Sequence, residues 1–178
     1  MGELIYSFAS LAARHIDGET CLDGMWRLAE TLHPHGVRIT WLVSGESAAA
    51  AAEPLSRWYR EFGDDVAVCV PDLAGSADDK KAKVAAELLR VKQALPWAEP
   101  VIAACNHQDP DLPEILSSLG FLGLWGFCWE QIEVDQITDR GMPWGFYYID
   151  PKERLRPAEG RGVVAVEWTA RDLLKSFH

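Results

Sequence analysis

The sequence predicts an α/β fold built around a parallel β-sheet. Short apolar runs alternate along the chain with longer segments of helical pattern, which is typical of strands joined by crossover helices. Glycines follow three of the helical segments, where a left-handed residue commonly ends a helix. The chain has 178 residues, 48% of them hydrophobic, so it is long enough to fill one core. We therefore expect a single domain over residues 1–178.

The apolar runs and helical segments give the order of the elements. The predicted strands cover residues 4–10, 37–43, 66–70, 101–105, 122–127 and 163–168. The predicted helices cover residues 22–32, 48–62, 76–95, 113–119 and 170–177. We expect left-handed cap residues at Gly36, Gly63 and Gly120, and a helix start at Asp111 or Leu112 next to Pro113.

The charge of the chain argues against two classes of partner. Its formal net charge is −10 and its sequence pI is near 4.9, whereas nucleic acids and anionic membranes attract clustered Lys and Arg. The one basic cluster, within residues 80–83, has acidic neighbours at Asp78, Asp79 and Glu87. We predict a solvated helix face with local ion pairing there, and neither a nucleic-acid nor a membrane partner.

The cysteines and the amino terminus bear on the compartment. Cys21, Cys69, Cys105 and Cys128 show no CxxC spacing and are predicted to be buried free thiols in a reducing compartment. The amino terminus has no basic segment followed by a long apolar run, and no window is long enough for a membrane span. We expect a cytoplasmic protein.

Residues 120–148 form the most informative segment for function. They combine Trp125, Trp129 and Trp144 with Tyr147 and Tyr148 and with several acids, around a glycine-punctuated loop after a predicted strand. Aromatic faces beside carboxylates suit a sugar cleft, because a pyranose stacks its apolar face on a ring while its hydroxyls bond to acids. Core packing of the tryptophans and an aromatic oligomer interface are the alternatives.

Candidate catalytic carboxylates follow the last two predicted strands. Because catalytic side chains of parallel α/β folds come from the carboxyl ends of strands, we select Glu130, Asp135 and Glu167. Paired carboxylates are the machinery of glycosidic chemistry, one held as an acid and one ionised. An ordinary strand-end carboxylate is the alternative interpretation for Glu167.

Two His–Asp pairs follow other predicted strand ends. His15 and Asp17 come after the first strand, and His107 and Asp109 after the fourth. Residues two apart in an extended segment point the same way, so each pair could reach one metal ion or one substrate hydroxyl. His107 is also a candidate general acid or base, and turn or capping roles are the alternative for Asp17.

Several common catalytic motifs are missing from the sequence. It has no glycine-rich phosphate loop, no Gly-x-Ser-x-Gly elbow and no zinc-type cysteine pattern. Kinase, nucleotide-binding and serine-hydrolase functions therefore lack their usual support.

Three phrases resemble the polysaccharide deacetylase-like superfamily, the NodB-type (β/α) barrels related to certain glycoside hydrolases. GVRITWLVSGESA at 36–48 is similar to the family's second strand and following turn, and EFGDDVAVCV at 61–70 to the phrase before its third strand. LPEILSSLGFLGLWGF at 112–127 is similar to its late helix and strand. The resemblance implies an irregular or incomplete TIM-type barrel that acts on carbohydrate. The end of the chain soon after the sixth strand suggests that the barrel is incomplete or that the domain is part of a longer protein.

The sequence departs from the family at its metal site. Family deacetylases carry paired aspartates after the first strand and a two-histidine motif after the third. Here the first strand leads into FASLAARHID, where Asp17 or His15 would have to substitute, and the phrase VAVCVPDLAG after the third strand has no histidine. The resemblance therefore implies a divergent member whose usual metal site is absent or rebuilt from other residues.

The sequence thus predicts a carbohydrate-active hydrolase-like domain of deacetylase or glycosidase type. Its candidate catalytic residues are Asp17, His107, Glu130 and Glu167. Its candidate substrate-binding residues are His15, Trp129, Asp135, Trp144 and Tyr148. A divalent metal, if one is bound, has His15, Asp17, His107 and Asp109 as candidate ligands. The alternative is a noncatalytic carbohydrate-binding or scaffold domain that has lost the metal site.

Overall fold

The structure, a computed structural model, describes residues 8–11, 21–70, 73–105, 108–127, 143 and 145–167. These residues fall into two compact units. Unit one lies within Met1–Pro71 and Lys83–Pro100, and unit two within Asp72–Ala82 and Val101–His178. The single domain remains a prediction.

Strands and helices alternate along most of the chain. The strands are β1 (Phe8–Leu11), β2 (Ile39–Val43), β3 (Asp65–Cys69), β4 (Ile102–Ala104), β5 (Gly123–Phe127), β6 (Tyr147–Tyr148) and β7 (Val164–Glu167). The helices are α1 (Cys21–Leu32), α2 (Gly45–Ala50), α3 (Ala52–Phe62), α4 (Ala77–Ala94) and α5 (Leu112–Ser118), and a 3₁₀ turn (His33–His35) follows α1. The predicted α/β class with mostly parallel strands is confirmed. The predicted helix over residues 170–177 lies outside the described residues.

Unit one contains three parallel strands in the order β1-β2-β3. In β2, Trp41, Leu42 and Val43 are all at most 1% exposed. Successive side chains of a strand point to opposite faces, so β2 is covered on both faces. This explains why Trp41, Leu42 and Val43 are consecutive apolar residues in the sequence.

Unit two contains four strands in the order β4-β5-β7-β6. The first three are parallel, whereas β6 pairs antiparallel with β7. The predicted parallel sheet did not include β6, which is an antiparallel addition to it. Parallel neighbours need a long crossover, usually a helix, but the described connection from β6 to β7 contains none. Within the described residues, neither set of paired strands returns to its first strand, so the barrel-like architecture remains an expectation.

A later part of the β6–β7 connection pairs with the side of β6 that β7 leaves free. Ile149 forms an antiparallel bridge with Pro157. The backbone N–H of Ala158 donates to the Tyr148 carbonyl at 2.7 Å, and the N–H of Asp150 donates to the Arg156 carbonyl at 3.1 Å. The connection therefore folds back on β6.

A β-bulge interrupts the pairing of β5 with β7. Trp125 pairs with Val166 and Phe127 pairs with Glu167, which leaves Gly126 as the extra residue. Its φ of 135° is essentially restricted to glycine, because any Cβ would clash with the backbone. The bulge thus requires glycine at this position.

The predicted helix over residues 48–62 is two helices, α2 and α3, separated at Ala51. Pro54 explains the break, because it has no N–H to donate to the Ala50 carbonyl and its ring would clash with that carbonyl in a continuous helix. In the first turn of α3 the missing N–H carries no cost. The Ser44 side chain caps the start of α2 in a reciprocal pair with Ser47.

The predicted cap residues are confirmed. Gly36, Gly63 and Gly120 all have left-handed backbones, with φ of 71°, 75° and 84°. Helix α5 starts at Leu112 with Asp111 as its N-cap and a proline in its first turn. No helix in the described part of the chain is both long enough and apolar enough to cross a lipid bilayer.

Candidate functional site

The strand-end edge of unit two carries one of the predicted catalytic carboxylates. Register pairs Phe127, the last residue of β5, with Glu167, the last residue of β7. Glu167 is half-buried, and its Oε2 accepts a hydrogen bond from the backbone N–H of Gly145 at 3.0 Å. The carboxylate thus lies where both strands end, and it binds a residue of the aromatic segment 120–148.

The two tyrosines of β6 lie on opposite faces of the strand. Tyr147 is 8% exposed, packs edge-on against Phe127 and donates its hydroxyl to the Arg154 carbonyl at 2.8 Å. Tyr148, a predicted substrate contact, is 41% exposed and pairs with Val164 at the amino end of β7. Glu167 lies three positions after Val164 along β7, a distance of about 10 Å.

The alternation of side chains separates Tyr148 from Glu167 further. Tyr148 shares a face with Val164, whereas Glu167 shares a face with Tyr147 and Ala165. The register therefore does not bring Tyr148 and Glu167 together.

Asp109, a predicted metal ligand, binds a lysine. The Lys80 ammonium lies 2.7 Å from Asp109 Oδ2 and 2.7 Å from Asp111 Oδ2. The side chains of Lys80 and Asp109 are only 13% and 11% exposed. Asp109 Oδ1 also accepts the backbone N–H of Asp111 at 3.0 Å, which stabilises the turn before α5.

This cluster corrects the predicted local ion pairing of Lys80. Its carboxylate partners come from the loop after β4, not from the acids next to it in α4. Hydrogen bonds to Asp109, and then to Asp111, hold the pKa of Lys80 above its ordinary value. Lys80 is thus a charged side chain that holds the β4–α5 loop.

A cavity of about 550 Å³ adjoins the β4–α5 loop in unit two. It is lined by Gln108, Pro110 and Pro113 and by residues 150–156. The backbone N–H groups of Lys152, and then of Glu153, donate to Asp150 and lower its pKa. Charged groups of both signs therefore line this cavity. The adjoining β4–α5 loop carries Asp109, one of the predicted site residues.

Most predicted site residues lie outside the described residues. They are His15, Asp17, His107, Trp129, Glu130, Asp135 and Trp144. Among the residues that the structure does describe, no three His, Cys, Asp or Glu side chains are grouped to hold a metal ion. The metal ligands and the geometry of the carboxylate pair therefore remain predictions.

As predicted, neither Cys69 nor Cys105 forms a disulfide bond with another described residue, but both are only half-buried. Burial, and to a lesser degree the charge of Glu87, raises the pKa of Cys69. The side chain of Cys21 and all of Cys128 lie outside the described residues.

A buried polar network in unit one was missed by the sequence analysis. Asp64 is 1% exposed and its two oxygens lie 3.1 and 3.0 Å from Nε2 of His33. Asp64 also accepts the Ile39 N–H at 3.0 Å and the Trp41 indole N–H at 2.8 Å. The His33 ring stacks on Phe62 with 3.9 Å between centroids. One carboxylate thus links the turn after α1, the start of β2 and the residue before β3.

Next to this network lies a cavity of about 330 Å³, here called the α1–α3 cavity. The polar and aromatic residues that line it include Trp26, Glu30, His33, Arg57, Glu61 and Phe62. The Arg57 guanidinium lies 4.5 Å from the centroid of the Trp26 ring. The Arg57 Nε atom is buried and, among the described residues, has no hydrogen-bond partner.

Comparisons of the chain with models of known protein families, with curated proteins and with solved structures find no significant match to any of them. The resemblance of residues 36–48, 61–70 and 112–127 to deacetylase-type barrels therefore remains an expectation.

Proposed function

We propose that this chain is a carbohydrate-active, hydrolase-like domain of deacetylase or glycosidase type, acting on a polysaccharide or sugar conjugate. The observation that carries the proposal is the place of Glu167. Its carboxylate lies where β5 and β7 end together and accepts a hydrogen bond from Gly145. Catalytic groups of parallel α/β folds come from such strand ends.

The aromatic segment supplies the second line of support. Gly145 follows Trp144 directly, and β5 leads directly into the stretch that contains Trp129 and Glu130. The hydrogen bond from Gly145 to Glu167 joins this segment to the strand end with the carboxylate. In the proposed cleft, a sugar stacks on Trp129 or Trp144 while carboxylates act on its linkage or its substituent.

The finer architecture and the compartment belong to the same proposal. An irregular or incomplete (β/α) barrel is supported by the alternation of strands and helices and by the parallel pairing within each unit. A cytoplasmic location is supported by the free thiol of Cys69. A carbohydrate partner rather than a nucleic acid is supported by the net charge of −10.

One observation favours the noncatalytic alternative. Lys80 occupies the carboxylate of Asp109 with a resident positive charge, so Asp109 is a poor candidate for a metal ligand. A metal ion would then have to be bound by His15, Asp17 and His107, without Asp109. Elemental analysis of protein purified without metal affinity, beside the His107→Ala variant, tests this. Stoichiometric metal that is lost in the variant supports a rebuilt hydrolytic site, and metal-free protein leaves carboxylate chemistry or a binder.

The decisive experiment compares wild type with Glu167→Gln. Glutamine keeps a carbonyl oxygen that can accept the Gly145 N–H, so the variant removes the charge while retaining this contact. Release of acetate and of reducing ends is measured on a panel of acetylated and plain polysaccharides. We expect turnover by wild type and a loss of about 100-fold or more in the variant. Glu159→Gln, at an exposed position, is the matched control.

Three results separate the interpretations of this experiment. Turnover that depends on Glu167 supports the hydrolase. Binding of a glycan without turnover, unchanged in Glu167→Gln, favours the noncatalytic domain. Neither binding nor turnover on any glycan refutes the carbohydrate proposal.

A further inference from the structure

The α1–α3 cavity has polar and aromatic groups that the proposed catalytic edge does not use. It lies beside the carboxyl ends of α1 and α3, which lead into the amino ends of β2 and β3. The strand ends on which the proposed chemistry depends are the carboxyl ends. The cavity is therefore a separate feature of unit one.

An aromatic ring with a free surface borders this cavity. Phe62 stacks on His33 on one side, yet it remains 38% exposed, so its other face or its edge is open. The His33 ring is fixed in turn by Asp64. Trp58 also borders the cavity but is only 1% exposed, because Trp41 and Trp26 pack against it. Phe62 is thus an aromatic platform that packs on His33 and is open to solvent on its other side.

The exposed polar groups around this platform are carboxylate acceptors. Arg57 Nε is buried, has no hydrogen-bond partner in the described residues and lies 3.9 Å from Glu61 Oε2, so a ligand oxygen in the cavity does not reach it. Glu30 and Glu61 are exposed at the rim and accept hydrogen bonds from hydroxyl groups.

The charges around the cavity disfavour an anionic ligand. Two carboxylates and the partial negative charge of two helix carboxyl ends repel an anion. The Arg57 guanidinium already occupies one face of the Trp26 ring. A saccharide, with an apolar face and hydroxyl donors, suits the aromatic platform and the two carboxylate acceptors.

We propose that the α1–α3 cavity binds one neutral sugar residue of a saccharide chain, as a noncatalytic site. The sugar ring stacks on the open side of Phe62, and its hydroxyls donate to Glu30 and Glu61. This inference rests on the proposed function for its class of ligand. It adds a second place on the domain where a polysaccharide is held.

The test is a titration with the neutral trisaccharides chitotriose, xylotriose and maltotriose, followed by ¹H–¹⁵N NMR. We expect the Trp26 indole N–H and the Arg57 Nε–H signals to shift and saturate with the best of the three. Phe62→Ala should weaken that affinity about tenfold, the scale of one good aromatic contact. Tyr59→Ala should leave it within about twofold, because Tyr59 lies on the same helix, is 43% exposed and stacks on Trp97 outside the cavity.

The outcomes distinguish this inference from the proposed function. If a trisaccharide binds with equal affinity to wild type and Phe62→Ala, or leaves Trp26 and Arg57 unshifted, the cavity is not a sugar site, while the proposed function stands. Turnover of a polysaccharide without binding of any trisaccharide at the cavity likewise overturns the inference alone. Absence of both binding and turnover overturns the inference and the proposed function together. The Arg57 signal is read in wild-type protein, so the test does not require an Arg57 variant to fold.

Discussion

Replacing Asp64 by alanine should severely destabilise unit one. The substitution removes the acceptor of the Ile39 N–H and of the Trp41 indole N–H, and both residues are at most 1% exposed. A buried donor left without an acceptor costs about 1–3 kcal/mol, so two donors cost about 2–6 kcal/mol. His33 loses its only hydrogen-bonded side-chain partner in the described structure as well. Against a typical domain stability of about 5–15 kcal/mol, this is a large fraction.

Urea unfolding followed by tryptophan fluorescence measures the effect directly, because Trp41 belongs to the network. Asp64→Asn keeps one acceptor oxygen and should cost less than the alanine variant, about 1–3 kcal/mol. Asp65→Ala is the matched control, since Asp65 is the next residue, is exposed and, among the described residues, bonds only the adjacent Val66 N–H. Its cost should stay below about 1 kcal/mol.

A loss of less than about 1 kcal/mol for Asp64→Ala, with an unchanged dependence on urea, would refute the reasoning. It would mean that water or a shifted backbone satisfies both donors after the carboxylate is gone. The same conclusion would follow if Asp64→Ala lowered the free energy of unfolding by no more than Asp65→Ala does.

Two further substitutions test the ion cluster and the bulge. The pKa of Lys80 is raised in the folded protein. The contribution of its charge to the free energy of unfolding is therefore complete below the ordinary lysine pKa of about 10.4, and it is lost as the pH rises through the higher folded pKa. The difference in the free energy of unfolding between wild type and Lys80→Met should therefore be constant up to about pH 10 and shrink above it. Urea unfolding from pH 8 to 12 measures this difference. A difference that stays constant over the whole range would contradict the role of the ion pairs with Asp109 and Asp111. Gly126→Ala should cost about 1–3 kcal/mol because of its φ of 135°, whereas Gly24→Ala, in a helix with open space at its Cβ, should stabilise by about 0.5–1 kcal/mol. Thermal unfolding compares the two variants, and equal effects of the same sign would contradict the assignment of the bulge.

The elements of the fold were largely predictable because burial leaves a local pattern. The described ends of β2, β3, β4, β5 and β7 agree with the predicted runs to within two residues. A strand covered on both faces reads as a short continuous apolar run, and Trp41 to Val43 shows this directly. The cap glycines were predictable for a similar reason, since a left-handed residue after a helix strongly favours glycine.

The break between α2 and α3 was predictable in principle but was missed. The alanine-rich run 48–52 has high helix propensity and favours one long helix. Pro54 overrides that propensity, because its effect falls on the carbonyl of residue 50, four positions earlier. The proline was the signal that should have divided the segment.

The polar partnerships could not be read from the sequence, because their members are far apart along the chain. Lys80 and Asp109 are 29 residues apart, and His33 and Asp64 are 31 apart. Only one hint was available in advance: the Trp41 indole in a buried apolar strand needs an acceptor. The identity of that acceptor depends on how the strands pair, which the local pattern does not encode. The catalytic residues predicted from strand-end positions stay predictions, because all of them except Glu167 lie outside the described residues.

The segment that folds back on β6 determines what another chain would meet at this side of unit two. An open strand edge offers a row of donors and acceptors to which a second protein can add a strand. Here the Tyr148 carbonyl is already taken by Ala158, and Ile149 is bridged by Pro157. Proline has no N–H to offer the next strand, so the outermost position presents an incomplete template. A two-residue strand, covered by a segment that places a proline at the edge, thus makes edge-to-edge assembly of this protein into extended sheets unfavourable at β6.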